Sequence, residues 1–189
     1  MTTAQKQKLD DVAEDLFDYV DNVKIIKELF DELPVKVGIA SPYLNFRDAL
    51  FHFKKMNNYA GAGNNAGFIQ QCACIEEHLN RGLKDFAIYL CSNVYARIIN
   101  KMLNLKSVNN NYRHELRKVY HCIKNLVIDI RLEGQTLRHF DNHKNIWLPK
   151  LINSIKAFND LLDKSPSLKQ TYRRFSAEIT AVYQNFITQ

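Results

Sequence analysis

The chain has 189 residues, 46% hydrophobic and 24% charged, with only six Gly and four Pro. That is enough chain for one buried core and too few breakers for a loop-rich protein. No run of about 18 apolar residues is present, which excludes a membrane-spanning helix, and no CxxC pair or His cluster has zinc spacing. The net charge of +6 is spread unevenly. Residues 1–33 hold four Lys against nine Asp or Glu, while residues 101–189 hold fifteen Lys or Arg against seven acids. An acidic start on a basic body points to a polyanionic partner, nucleic acid first.

In chain order, residues 4–33 read as a first helix. Leu9, Val12, Leu16, Val20, Val23, Ile26, Phe30 and Leu33 recur at spacings of three and four and form one face. Pro34 ends it, and residues 34–41 connect to Ser41-Pro42, a side-chain cap followed by proline at the first helical position. Helix two is predicted from Pro42 to about Asn58, and the Gly-rich stretch 59–67 as a linker without phosphate-loop spacing. Helix three covers about 68–103, with Phe68, Cys72, Ile75, Leu79, Leu83, Phe86, Leu90, Val94, Ile98 and Met102 inward. Helix four covers about 111–138 with Tyr112, Leu116, Val119, Ile123, Val127 and Ile130 inward, and helix five about 145–163 with Trp147 as an anchor. Ser165-Pro166 starts a last helix whose stripe is Leu168, Tyr172, Phe175, Ile179, Val182 and Phe186. No strand-like alternation or internal repeat occurs. The expected fold is therefore all-α, an antiparallel bundle of five to six helices forming a single domain over residues 1–189.

The cysteines Cys72, Cys74, Cys91 and Cys122 read as reduced core thiols. The N-terminus is acidic and lacks an apolar signal core, so a cytoplasmic protein is expected. Neither a cofactor nor a metal is implied by any motif.

One segment of helix two carries chemistry. In Arg47-Asp48-Ala49-Leu50-Phe51-His52 a guanidinium, a carboxylate and an imidazole lie within two turns. Histidine moves protons near neutral pH, and the arginine fork matches the geometry of a phosphate. These are the groups needed when a ribose 2′-hydroxyl attacks its own phosphodiester. Asp48 and His52 are i and i+4, so Asp48 is expected to orient the imidazole. Arg47 and His52 are i and i+5, about 140° apart on an ideal helix, a spacing better suited to an irregular helix two or to a site shared between two chains.

The segment resembles the signature of the HEPN superfamily: Arg, four to six residues, His, with Asn, Asp or His favoured after the Arg. The resemblance covers these six residues, the all-helical character and the length. It implies a helical-bundle endoribonuclease that needs no metal, in which Arg47 holds the phosphate, His52 moves the proton and Asp48 orients it. It further implies a homodimer with RNA as substrate, a toxin or defence role, and an antitoxin-like protein partner. The alternatives are a non-catalytic helical module binding nucleic acid or protein through its basic half, and a scaffold of the same family that has lost activity.

Arg138 to His143 repeats the pattern and is the runner-up site, with a helix-cap role for Asp141 or Asn142 as its plainer reading. Glu76-Glu77-His78 on helix three is a candidate to face helix two and add a second acid or base, with an ordinary i,i+4 surface pair of Glu77 and Arg81 as its plainer reading. His114 and His121 share a helix face, but two histidines alone make a poor metal site. Asp10, Asp11, Asp15 and Asp18 on the first helix are candidates to compete with a phosphate backbone for the basic surface.

Overall fold

A computed structural model describes residues 1–29, 40–133 and 140–187, and side chains throughout these except at 29, 40, 41, 133, 140–146, 180 and 182–187. The described residues are helical with short turns, and contain no strand. The elements are α1 (Thr3–Leu29), α2 (Ala40–Gly61), α3 (Asn65–Tyr89), α4 (Ala96–Leu103), α5 (Asn110–Glu133), α6 (Phe140–Asp163) and α7 (Pro166–Ile187). A π-helical turn, Leu90–Tyr95, joins α3 to α4 without a break, so seven helices make six rods. No helix among the described residues is long and apolar enough to cross a membrane.

The periodic stripes predict the core well. All ten expected positions from Phe68 to Met102 are buried, as are Leu116, Val119, Ile123, Val127 and Ile130, and Leu168, Tyr172, Phe175 and Ile179; Tyr112 is half-buried against the core, and the side chains of Val182 and Phe186 lie outside the described residues. Trp147 is fully buried. On α1 the stripe is corrected at one place: Tyr19 is buried and Val20 is exposed. Tyr19 donates to Pro42 O (2.8 Å) and stacks on Phe46, so α2 draws the larger ring inward. Cys122 is exposed, unlike the expected core thiol, while Cys72 and Cys91 are buried; all four cysteines are free. Phe30, Leu33 and Pro34 lie outside the described residues.

Helix ends also differ from expectation. The helix begins at Ala40, before Ser41-Pro42. The predicted linker 59–67 shrinks to a turn at 62–64, because small residues such as Ala60, which is buried, extend the helix. Gly63 supplies the one positive φ of that turn (70°), and Asn64 caps α3 by accepting from Gly67 N (2.9 Å). In α6, Pro149 lies inside the helix. The buried Trp147, Leu148 and Leu151 around it offset the backbone hydrogen bond that proline cannot make. Ser165 and Pro166 start α7 as expected.

The closest packing is between α2 and α3, an antiparallel hairpin. α1 lies across both, held by Tyr19 and by an ion pair from Lys8 to Glu76 (3.4 Å). Gly82 makes this crossing possible: a Cβ there would meet the Tyr19 hydroxyl and Asn45 Cβ. The second half is built on α5, α6 and α7, with Tyr95, Phe158 and Tyr172 in successive edge-to-face contacts at its centre.

Candidate functional site

The α2–α3 seam is apolar except at two rungs. On α2, Asn45 and His52 are seven residues apart; on α3, Gln71 and His78 are also seven apart. A spacing of seven returns to nearly the same helix face. Because the helices run antiparallel, the two pairs cross-match. His52 Nδ1 lies 2.7 Å from Gln71 Oε1, and His78 Nδ1 lies 3.3 Å from Asn45 Oδ1. The two imidazoles stack between the rungs, with ring centres 5.2 Å apart and planes within 23°.

Each amide oxygen can only accept, so each ring donates from Nδ1 and leaves Nε2 as the basic nitrogen when neutral. Gln71 is only 7% exposed, so His52 is fixed by a buried partner. The histidines themselves are half-buried and open to solvent on one side.

Arg47 and Asp48 stand at the outer edge of this pair. Arg47 donates to Asp48 Oδ1 from both Nε (3.0 Å) and Nη2 (2.8 Å). The hydrogen bond from Arg47 holds the Asp48 carboxyl below its ordinary range; partial desolvation opposes this, and the charges of Arg47, His78 and His52 add to it. The carboxylate therefore sits within electrostatic reach of all three basic groups. The expected contact in which Asp48 orients His52 is not made: Asp48 takes Arg47, and Gln71 takes His52. The reason is reach. Arg47, the adjacent exposed side chain, folds onto the carboxylate, while the i+4 imidazole turns into the seam.

Sequence reasoning missed Asn45, Gln71 and Gly82. The signal was present as two polar seven-residue spacings on neighbouring helices, one member of each being histidine. Of Glu76-Glu77-His78, His78 stacks on the His52 ring, while Glu77 pairs with Arg81 (2.6 Å) and Glu76 with Lys8 (3.4 Å). Arg138 lies outside the described residues, as does the side chain of His143, so the runner-up site has no structural description. His114 and His121 are exposed on α5, and no metal-binding group of three His, Cys, Asp or Glu occurs among the described residues. Asp10 and Asp11 are exposed, and Asp11 accepts from Gln7 (2.9 Å); Asp15 and Asp18 are half-buried.

The outer face of α2 is unusually apolar. Tyr43, Leu44, Leu50 and Phe51 are each more than 40% exposed and surround Arg47. Lys55 packs its ammonium over the Phe51 ring (4.4 Å). At about 100° per residue, these four residues and Arg47 occupy one sector of the helix, and Asp48 and His52 follow at its border.

No protein-family model, curated protein or solved structure matches the chain.

Proposed function

We propose that the protein is a metal-independent endoribonuclease acting as a homodimer, with His52 as the proton-transfer group and Arg47 as the phosphate-binding group. The observation that carries this reading is the His52–His78 stack, each ring anchored at Nδ1 by an amide and bordered by the Arg47–Asp48 pair. Anchoring at Nδ1 leaves Nε2 to do the chemistry. In the reaction, Nε2 of a neutral His52 takes the 2′-hydroxyl proton. The oxygen attacks the adjacent phosphorus, forming a 2′,3′-cyclic phosphate. The bond to the 5′-oxygen breaks, and that oxygen receives a proton from a protonated imidazole. Arg47 neutralises charge on the non-bridging oxygens, a role suited to its fork.

Attack and departure are roughly in line through phosphorus, so base and acid belong on opposite sides of it. Two stacked rings in one chain stand side by side. A second copy supplies the opposite side, and the apolar sector around Arg47 is the face that a second copy would cover. His78 then serves as a positioning residue that stacks on His52. Asp48 positions Arg47 in place of the role in orienting His52 expected from spacing. The cytoplasm is the proposed location, and a toxin or defence role with an antitoxin-like partner remains an extension of the motif resemblance.

The test is cleavage of a labelled single-stranded RNA in the presence of EDTA. The wild type is expected to cut and leave a cyclic phosphate; His52→Ala and Arg47→Ala are each expected to abolish cutting while retaining helicity. Full inhibition by EDTA, or full activity in both variants, would sink the proposal. A second reading, a non-catalytic module that binds nucleic acid through its C-terminal half, is favoured by the fifteen Lys or Arg against seven acids in residues 101–189. It predicts salt-sensitive RNA binding with no product from any variant.

A further inference from the structure

The π-helical turn shapes a second region, remote in character from the histidine pair. Within Leu90–Tyr95 the wider winding turns Leu90, Cys91, Val94 and Tyr95 all into the core, and Ala96 N donates to Cys91 O, five residues back. Such insertions often mark functional sites because they re-aim the helix face that follows. Here a cleft of about 350 Å³ opens between this turn, α4 and α5. This is at the small end of the range for small-molecule sites, ~300–1,000 Å³. The cleft has an apolar floor that includes Ile123 and Val127, and one aromatic side chain, Tyr120.

Three cations border it: Arg97 from α4, and Lys124 and Arg131 from α5. Among the described residues no Asp or Glu lines the cleft. Among the described residues Arg97 and Arg131 have no ion-pair partner, and Lys124 meets only the Tyr120 ring (5.3 Å). Asp129 of the same helix is turned away to Lys150 on α6 (3.3 Å). Tyr120, Lys124 and Arg131 recur at four and seven residues, so they share one stripe of α5. A neighbouring cleft of about 630 Å³, which shares Arg131, makes the contrast: its Glu76, Glu77 and Asp85 face Arg81 and Lys84, and Arg81 pairs with Glu77 (2.6 Å). Arg81 and Lys84 have counter-charges within that cleft; among the described residues lining the α4–α5 cleft, Arg97 and Lys124 have none.

We propose that the α4–α5 cleft binds a nucleotide-sized organic phosphate, with Arg97, Lys124 and Arg131 on the phosphate and the Tyr120 side of the apolar floor against the base. An anion supplies the counter-charge that the described lining lacks, and Arg matches phosphate oxygens two at a time. The apolar part of the cleft, with Tyr120 at its side, suits a base, which has a π face to stack and little charge. Cys91, though it borders the cleft, takes no part as a nucleophile: it is 1% exposed, and burial pushes its thiol up to about 12.

The proposal does not depend on RNA cleavage. The test is calorimetric titration of the full chain with AMP, GMP, CMP and UMP, with adenosine and inorganic phosphate as separate arms. At least one nucleoside monophosphate is expected to bind about tenfold more tightly than either adenosine or phosphate. Arg97→Ala/Lys124→Ala is expected to weaken it by about tenfold or more, and Tyr120→Ala to weaken the nucleotide without changing phosphate binding. His52→Ala is expected to bind like the wild type, which separates this site from the cleavage reading. The proposal is overturned if no monophosphate binds at about millimolar concentration, if the double variant binds as tightly as the wild type, or if phosphate alone binds as tightly as the nucleotides. All three cations are exposed, so the variants are expected to fold, which circular dichroism and thermal melting verify.

Discussion

The two ends of the α3–α4 rod handle positive charge in opposite ways. At the α2–α3 seam, Arg47 has its own carboxylate, and both imidazoles have amide partners. At the α4–α5 cleft, Arg97 and Arg131 form no ion pair among the described residues. A paired cation is held in place and its field is partly cancelled; an unpaired one in a cleft keeps its field and lacks a counter-ion. On the proposed readings, the seam positions groups for proton transfer and the cleft attracts an anion.

The most severe break of this contrast is at the seam. His52→Ala is expected to lower RNA cleavage by about 10²–10⁴-fold, the usual worth of a general acid–base group. Gln71→Ala keeps the ring but frees it, so a smaller loss is expected, about tenfold, together with a displaced pH profile. Rates measured from about pH 5 to 9 distinguish the two; a Gln71→Ala profile unchanged in shape would remove Gln71 as the positioning group.

Packing next to the seam gives the next effect. Gly82→Ala would push a methyl group onto Tyr19 and Asn45. It is expected to cost about 1–3 kcal/mol of overpacking, offset by up to ~1 kcal/mol of helix propensity, as read by urea denaturation. Burial, with a smaller contribution from Asp85, holds the Tyr19 hydroxyl above its ordinary value. A variant as stable as the wild type would mean that α1 shifts freely over the hairpin.

The apolar face of α2 is sharpened by Leu50→Glu/Phe51→Glu. Both side chains are exposed in the single chain, so folding stability is expected to change by no more than about 0.5 kcal/mol per site. Light scattering at micromolar concentration is expected to give a dimer for the wild type and a monomer for the variant. A wild-type monomer that still cuts RNA would detach this face from the activity.

The smallest effect concerns pH. The folded-state value of Asp48 is depressed, first by the hydrogen bond from Arg47. Its stabilising contribution is thus complete above the ordinary aspartate value, about 3.9, and is lost as pH falls through the lower folded value. Asp48→Asn lacks this dependence. The stability gap between wild type and Asp48→Asn is expected to be small, because the pair is exposed, and to close on acidification below about pH 4. A gap that widens on acidification would contradict the pairing.

What the sequence determined by itself is the helical bundle and most of its core. Burial at every third or fourth residue is a property of one helix against apolar surroundings, so the stripes on α3, α5 and α7 were legible without knowing which helix lay opposite. The Ser165-Pro166 start was legible for the same local reason. The seam was not. His52 chose Gln71, 19 residues away, over the Asp48 that spacing offered, and His78 met Asn45 only because α2 and α3 run antiparallel in one register. Tyr19 displaced Val20 from the core because Phe46 and Pro42 came to it from another helix. The gathering of Arg97, Lys124 and Arg131 was hidden likewise, since Arg97 belongs to a different helix from the other two. Local pattern fixes which face of a helix turns inward; only tertiary packing decides which polar group on one inward edge meets which on the next, because that depends on register and crossing between segments far apart in the chain.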